Sequence, residues 1–75
     1  MPAKKDEATD DYVLIIFQET EMAYLVGYTI EDQDDAVWIP KSRIEVGPVK
    51  SKTKEGYEIR EFQIPDWLAE KKDLV

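Results

Sequence analysis

Apolar residues alternate with polar ones over much of this chain, which is the period of β-strands rather than of helices. Residues 12–19, YVLIIFQE, are apolar on both faces and rich in β-branched and aromatic side chains, so they predict a central strand. Residues 22–30, MAYLVGYTI, alternate between large and small side chains, and a turn at 19–21 makes them the second arm of a hairpin. Gly27 within this strand favours a bulge or a bend.

Three more strands are expected before the chain ends in a helix, over residues 36–40, 44–46 and 57–64. The first of them stops at Pro40, which has no amide hydrogen for a ladder, and Gly47-Pro48 interrupts the second. Residues 49–56 then form a cationic hairpin arm with its turn at 54–56. In the last strand the apolar residues shift from odd to even positions, which indicates a bulge near Arg60-Glu61 or a change of packing partner.

The last predicted element is a two-turn helix over residues 65–72. Pro65 suits the first helical position, Asp66 lies in the first turn, and Lys71 and Lys72 lie in the last turn. This order agrees with the fixed φ of proline and with the helix dipole. Together the elements predict a mainly β fold: a small five-stranded antiparallel barrel or strongly bent sheet with a short C-terminal helix.

The chain of 75 residues is long enough for one small domain, in which only about 60% of the extended surface can be buried. We assign this domain to residues 11–75. Residues 1–10 are polar and charged, and we interpret them as a disordered N-terminal arm.

The first predicted strand has two apolar faces, one with Val13, Ile15 and Phe17 and the other with Leu14 and Ile16. In a domain of this size the two sets cannot share one core. We therefore expect one set in the interior of the sheet and the other under the terminal helix. A homodimer interface over the second set is the alternative.

The chain has no cysteine and no histidine. This excludes disulfides, thiolate and imidazole metal sites, thiol redox chemistry and the usual Ser-His-Asp catalysis. Carboxylates are plentiful, but none is expected in an apolar pocket that would suit acid–base work, so we expect no enzyme, no catalytic residue, no metal and no cofactor. No apolar run approaches the ~20 residues of a membrane helix, and the amino terminus is not a secretory signal. We expect a cytoplasmic protein with no membrane partner.

Charge is distributed unevenly around a net value of −7. Residues 6–35 carry ten acids and no lysine or arginine, whereas residues 41–60 carry six cations against three acids. The run Glu31-Asp32-Gln33-Asp34-Asp35 fails the pattern of a calcium loop, because neither the sixth nor the twelfth residue from Asp32 is the required glycine or glutamate. A solvated hairpin turn explains it.

The most unusual run is residues 34–46, DDAVWIPKSRIEV. Trp38 and Ile39 point to opposite faces of a strand, so only one of them is core. The simplest interpretation packs Trp38 inward and leaves Lys41 and Arg43 as solvated corner residues. The functional interpretation places Trp38 partly outside, beside these cations and a tyrosine of the second strand, as a contact surface. The order strand, proline and one-turn corner resembles the end of Src-homology-type small barrels, where a 3₁₀ turn leads into the last strand.

The segment VWIPKSRIE, followed later by IPDWLAEKK, resembles a family of short uncharacterised proteins common in phages and prophages. Their pattern is Trp-(Ile/Leu)-Pro-Lys-Ser-x-(Ile/Val), then a strand that ends in (Ile/Val)-Pro-x-Trp-Leu. The positions that match it here are Trp38 to Ile44, Ile64, Pro65, Trp67 and Leu68. The resemblance spans most of residues 12–72 and implies an accessory protein of a phage or mobile element, without assigning a catalytic residue.

We therefore predict a non-enzymatic protein-binding accessory or inhibitor protein of a phage or mobile element. Dense carboxylates can occupy sites meant for phosphates, so an acidic face would act as a nucleic-acid mimic and dock a basic, nucleic-acid-binding groove on a host protein. The predicted acidic face consists of Glu19, Glu21, Glu31, Asp32, Asp34 and Asp35.

The alternative is a small nucleic-acid-binding β-barrel that uses the cationic hairpin 50–60. Lys50, Lys52 and Lys54 alternate, so their ammonium groups would project from one face of a ribbon and track phosphates, while Tyr57 stacks a base. A solubilising edge strand explains the same lysines without a ligand. The complete alternative contact surface is Trp38, Lys41, Arg43, Lys50, Lys52, Lys54, Tyr57 and Arg60.

Overall fold

The computed structural model describes residues 8–74. Residues 1–7 of the predicted N-terminal arm lie outside the described range. The first strand begins at Thr9, two residues before the predicted domain boundary. The elements are, in chain order, β1 (Thr9–Glu19), β2 (Ala23–Gly27), an acidic 3₁₀ helix (Ile30–Asp35), β3 (Val37–Pro40), a corner 3₁₀ turn (Lys41–Arg43), β4 (Glu45–Lys52), β5 (Glu58–Pro65) and α1 (Asp66–Lys71).

The five strands form one antiparallel sheet in the order β3-β2-β1-β5-β4. The long strand β1 lies at its centre and pairs with β2 on one side and β5 on the other. The two outer strands do not pair with each other, so the sheet is not closed into a barrel. The predicted mainly β fold with a short C-terminal helix is confirmed in its bent-sheet form.

The short link between the two edge strands requires the sheet to bend. Neighbouring strands lie about 4.8 Å apart, so a flat sheet of five would separate its edges by about 19 Å. The chain passes from Pro40 at the end of β3 to Glu45 at the start of β4 through the corner 3₁₀ turn. Such a link spans no more than about 15 Å. The two edges therefore curl towards each other.

The core lies on one face of this bent sheet and includes the helix. Leu14 and Ile16 of β1 share one buried cluster with Leu68 and Ala69 of α1. Its other members are Tyr12, Tyr24, Val26, Ile39, Phe62, Ile64 and Leu74. Two of the aromatic rings, Tyr24 and Phe62, meet edge to face with centroids 5.6 Å apart, a favoured geometry for aromatic pairs.

The second apolar set of β1 is not covered by α1, which corrects the expectation for that strand. Ile15 and Phe17 are buried but lie outside the cluster that contains the helix, and Val13 is 49% exposed. Phe17 packs edge to face on Tyr57, with ring centroids 5.1 Å apart. The physical reason is that the interior of the bent sheet and α1 lie on the same side, so the segment before β5 covers part of the other face.

The second strand ends at Gly27, three residues earlier than predicted, and the chain continues into the acidic 3₁₀ helix. A Cβ at Gly27 would lie 2.9 Å from the Cβ of Asp32 and 3.0 Å from a ring carbon of Phe17. Close approach of neighbouring atoms therefore explains the glycine. The bulge of this hairpin lies in β1, between Ile16 and Gln18.

The fourth strand continues through Gly47 and Pro48, which were expected to interrupt it. It is an edge strand, where a proline need not donate to a ladder. The register with β5 shifts on both sides of Val49, whereas β5 pairs with β1 without a shift. The irregularity expected near Arg60-Glu61 therefore lies in the opposite strand. The apolar residues of β5 therefore shift from odd to even positions for the second reason given above, a change of packing partner. The odd positions pack on the outer face of the sheet, and the even positions pack in the core.

The predicted helix is confirmed and is shorter by one residue at each end. After α1 the backbone N–H of Leu74 donates to the carbonyl of Ala69 at 2.8 Å, and that of Asp73 donates to Glu70 at 3.2 Å. Asp73 has φ 60°, and Leu74 is buried. This combination is a Schellman motif, which satisfies the last helical carbonyls and anchors the end of the helix with an apolar contact.

Candidate functional site

An open groove lies between α1 and the corner that follows β3. Its volume is about 680 Å³, and its lining comes from the β1–β2 turn, the end of β3 with the corner 3₁₀ turn, and one side of α1. We call it the two-tryptophan groove. Its lining residues are Glu21, Met22, Ala23, Trp38, Pro40, Lys41, Ser42, Arg43, Trp67, Leu68, Lys71 and Lys72.

The groove gathers exposed apolar side chains. Among the described residues, six large apolar side chains are exposed, and three of them, Met22 (75%), Trp38 (41%) and Trp67 (45%), line this groove. The two tryptophans are also the only ones in the chain. Single exposed apolar residues are ordinary, whereas a concentration of them in one concave surface marks a binding site.

Strand pairing determines that Trp38 faces outward. In the β2–β3 ladder, Ile39 lies opposite Tyr24 and Trp38 lies opposite Leu25. Tyr24 and Ile39 belong to the core, and Ile39 has no exposed surface, so alternation places Trp38 on the other side. The simplest interpretation, with Trp38 packed inward, is therefore wrong. Trp38 shares the groove with the two corner cations, as the functional interpretation expected, but neither Tyr24 nor Tyr28 lines the groove with them.

Lys41 fixes the corner that forms one wall of the groove. Its Nζ lies 2.7 Å from Oε2 of Glu19 and 4.8 Å from the ring centroid of Tyr24. Its backbone N–H donates to the carbonyl of Met22 at 2.8 Å. Both members of the ion pair are partly exposed, so the pair is worth at most about 1 kcal/mol. Its main effect is to hold the end of β1 against the corner.

The opposite wall of the groove follows from helix periodicity. Residues 67, 68, 71 and 72 are spaced so that they form one stripe along α1. Leu68 is 3% exposed and anchors this stripe in the core, while Trp67 is half exposed. The two lysines extend from the last turn, where cations are favourable for the helix dipole.

Cations outnumber acids in the lining of the groove. Lys41, Arg43, Lys71 and Lys72 line it, together with one acid, Glu21. Lys41 is already paired, but the side chains of the other three form no ion pair with any residue in the range 8–74. The groove is thus a local cationic surface on a protein with a net charge of −7.

The structure separates the predicted acidic face into two groups. Glu19 ends β1 and Glu21 lies in the β1–β2 turn, whereas the other four carboxylates lie on the acidic 3₁₀ helix beyond the opposite end of β2. The five residues of β2 place the groups about 13 Å or more apart. Glu19 is paired with Lys41, and Glu21 lines the groove.

Within the acidic 3₁₀ helix, one carboxylate has a structural task. Oδ2 of Asp32 accepts the backbone N–H groups of Tyr28 and Thr29, both at 3.0 Å. These bonds join the end of β2 to the helix and satisfy donors that would otherwise lack a partner. Glu31, Asp34 and Asp35 are exposed to solvent.

The alternative contact surface is divided as well. Its residues 38, 41 and 43 belong to the groove, whereas Lys50, Lys52 and Lys54 lie exposed on the hairpin formed by β4 and β5. We call residues 49–58 the hairpin arm. A register shift between Val49 and Ser51, and the turn at Lys54, interrupt the alternation on which a single cationic face would depend.

The two remaining members of that surface are engaged elsewhere. The ring of Tyr57 packs on Phe17, and its hydroxyl accepts a hydrogen bond from Nε2 of Gln33 at 3.2 Å. Nε of Arg60 is buried and lies 3.2 Å from Oε1 of Glu58, without the alignment of a hydrogen bond. Both side chains are only partly exposed, so each offers limited surface for base stacking or phosphate contact.

Two tyrosines have shifted acidities. Burial, with a further contribution from the charge of Asp10, raises the pKa of Tyr12 above its ordinary value of 10.0, and burial raises the pKa of Tyr28. Both hydroxyls therefore stay protonated at neutral pH.

Within residues 8–74, no three acidic side chains are arranged to hold a metal ion. None of the helices in that range has the length and apolar character needed to cross a membrane.

Sequence reasoning missed Met22, Trp67, Lys71 and Lys72 as parts of one site with Trp38. The stripe on α1 was a usable signal, because Trp67 and Lys71 are four residues apart. The stripe meets the corner after β3 only because the sheet bends, and no local sequence pattern predicts that bend.

Comparison of the chain with models of known protein families, with curated proteins and with solved structures gives no match.

Proposed function

We propose that this chain is a non-enzymatic protein-binding module and that the two-tryptophan groove is its binding site. The observation that carries the proposal is that one groove holds three of the six large apolar side chains exposed within residues 8–74, including both tryptophans. Burying apolar surface contributes about 25 cal/mol per Å². Tryptophan is also enriched among the residues that dominate interface energies.

The size of the groove indicates what it accepts. Its volume of about 680 Å³ falls within the range of roughly 300–1,000 Å³ for ligand pockets, which suits a few side chains rather than a whole domain. The groove is open to solvent, so an extended segment can lie in it. A short segment of a partner protein, docked by its side chains, fits these properties.

The resemblance to phage proteins supports the same surface. The two halves of the pattern are separated by 19 residues, 45–63, yet residues from both line the groove. They are Trp38, Pro40, Lys41 and Ser42 from the first half and Trp67 and Leu68 from the second. An accessory role in a phage or mobile element stays a proposal that rests on this pattern.

The acidic face has a smaller part in this proposal than sequence reasoning gave it. Its six carboxylates lie in two groups at opposite ends of β2, and two of them, Glu19 and Asp32, are engaged in local contacts. We keep the protein-binding class and move the contact surface to the groove. The exposed carboxylates of the acidic 3₁₀ helix then influence approach through their long-range field rather than through docking.

Selection from a random displayed peptide library tests the proposal. We expect peptides that bind the wild-type protein and change its intrinsic fluorescence, because both fluorescent tryptophans lie in the groove. The double variant Trp38→Ala, Trp67→Ala should lose at least about 30-fold in affinity, which is the loss of one hot-spot residue. Circular dichroism of the variant checks that the fold is retained.

A matched control removes two exposed apolar side chains outside the groove, Val13→Ala and Val49→Ala. This variant should bind the selected peptides within about twofold of wild type, because rim and remote positions contribute little. Failure to select any peptide, or an equal loss in both double variants, contradicts the proposal. Tighter binding of oligo(dT) than of every peptide would assign the groove to nucleic acid instead.

A further inference from the structure

The charges around the groove indicate the chemistry of its occupant. We infer that the groove selects acidic segments that carry large apolar side chains, an inference that rests on the proposed function. The apolar part of the occupant packs on Met22, Trp38 and Trp67, and its carboxylates meet the cations of the rim. Cations and exposed apolar side chains occur together in this groove, on a chain that is acidic as a whole.

The available cations come from both walls. Arg43 belongs to the corner 3₁₀ turn, while Lys71 and Lys72 belong to the end of α1. None of the three is paired with another residue in the described range 8–74. A segment in the groove therefore meets positive charge on each side of its apolar anchors. Arg43 can also bind a carboxylate through two parallel hydrogen bonds.

A peptide fits this charge distribution better than a polynucleotide does. The cationic lining is confined to the groove, in a molecule of 41 × 23 × 21 Å with a net charge of −7. Electrostatic interactions reach about 10 Å at 0.1 M salt. Phosphates that continue beyond the groove would leave the range of its cations, whereas a segment of about seven residues ends within the width of the molecule.

The lining is also more aliphatic than a stacking platform. Met22 and Pro40 lie in it beside the two tryptophans. Bases stack on flat aromatic faces, but aliphatic side chains give such stacking little support. Leucine, methionine or phenylalanine side chains of a peptide can use the aliphatic and the aromatic parts together.

Three labelled peptides of about eight residues test the inference. The first has leucine and phenylalanine among glutamates, the second has glutamine at each glutamate, and the third has lysine there. Fluorescence anisotropy at low salt should give about tenfold tighter binding for the glutamate peptide than for the glutamine peptide, since three rim ion pairs of a few tenths to 1 kcal/mol each add to about that ratio. The lysine peptide should bind most weakly, and added salt should reduce the preference.

Two variants with equal changes in charge locate the effect. Arg43→Gln, Lys71→Gln, Lys72→Gln should abolish the preference for glutamate over glutamine. Lys50→Gln, Lys52→Gln, Lys54→Gln removes the same charge from the hairpin arm and should leave the preference within about twofold of wild type, because those cations lie outside the groove. Loss of preference in both variants would show a general field effect and overturn the inference.

The remaining outcomes separate this inference from the proposed function. Equal affinity for the three peptides, or no binding of any of them by a protein that binds library-selected peptides, overturns the inference and leaves the proposed function standing. Tighter binding of oligo(dT) than of the glutamate peptide assigns the cations to phosphates. Self-association in sedimentation that disappears in the Arg43, Lys71, Lys72 variant would identify a second copy of the chain as the occupant. Either result overturns the inference.

Discussion

The two-tryptophan groove and the hairpin arm both carry several cations, but their surroundings differ. On the hairpin arm, Lys50, Lys52 and Lys54 are exposed, and Lys52 lies opposite Glu58 in the ladder. In the groove, the cations surround three of the six large apolar side chains that are exposed in the described part of the chain. Charge density therefore does not distinguish the two regions. The difference lies in the apolar surface between the charges, which gives a bound segment something to bury.

The two regions also differ in how they are built. The hairpin arm needs only two neighbouring strands and a turn, so its form is a local property. The groove joins three parts of the chain that meet because α1 is anchored in the core below the bent sheet. A change in the core should therefore affect the groove and leave the hairpin arm intact.

The largest contrast is expected from Leu68→Ala compared with Val49→Ala. Leu68 is 3% exposed and anchors the wall of the groove, so its truncation should cost about 2–5 kcal/mol. Val49 on the hairpin arm is 39% exposed, and its truncation should cost less than about 1 kcal/mol. Urea unfolding followed by circular dichroism measures both free energies.

A loss of several kcal/mol can unfold a domain of this size, because total stability is about 0.05–0.15 kcal/mol per residue. Leu68→Met preserves the apolar volume and should cost less than about 1.5 kcal/mol, which keeps the test informative. Equal costs for Leu68→Ala and Val49→Ala would show that α1 is not anchored as the structure has it.

The same difference between local and tertiary structure explains how much the sequence could predict. The five strands, the turn of the hairpin arm and the terminal helix follow from alternation, from Gly56 and from the charges at the helix ends, and all of them are observed. Alternation also placed Trp38 and Ile39 on opposite faces of a strand. It could not say which of them faces the core, because that depends on the pairing of Ile39 with Tyr24.

The groove could not be predicted because its parts meet through the strand order. Residues 22, 38 and 67 are distant in the chain and converge only once β3 and β4 occupy the two edges of a bent sheet. Tyr57 shows the opposite case. Its place in a cationic segment suggested a stacking role, but a contact with Phe17, forty residues away in the chain, engages its ring.

A moderate effect is expected from comparing Tyr28→Phe with Tyr57→Phe. The hydroxyl of Tyr28 donates to the carbonyl of Leu74 at 2.7 Å and ties β2 to the segment after α1. Its loss should cost about 1 kcal/mol, as is typical for one hydrogen bond. Tyr57 lies on the hairpin arm, and its hydroxyl accepts an exposed hydrogen bond from Gln33. Tyr57→Phe removes this bond and should cost less. Urea unfolding at pH 7 measures the difference.

The contribution of Tyr28 should also depend on pH. Burial raises its pKa above 10.0, so the folded state favours the protonated hydroxyl. The stabilisation is therefore complete below about pH 10, the pKa of an unfolded tyrosine, and is lost as the pH rises through the raised pKa. The difference in unfolding free energy between wild type and Tyr28→Phe should shrink as the pH rises above 10 and through the raised pKa. A difference that stays constant or grows would mean that the hydroxyl does not hold the segment after α1.

The smallest expected effects concern left-handed backbone conformations, one in each region. Asp73, in the turn that ends α1, has φ 60°, and Gly56, in the turn of the hairpin arm, has φ 95°. Asp73→Gly relieves the steric cost of a side chain there and should stabilise the protein by about 0.5 kcal/mol. Gly56→Ala introduces that cost and should destabilise it by up to about 1 kcal/mol, although a Cβ at Gly56 would meet no atom within 4 Å. Thermal unfolding measures the sign of the change in stability for each variant. If both changes destabilise the protein, the carboxylate of Asp73 contributes more to the end of α1 than its backbone conformation costs.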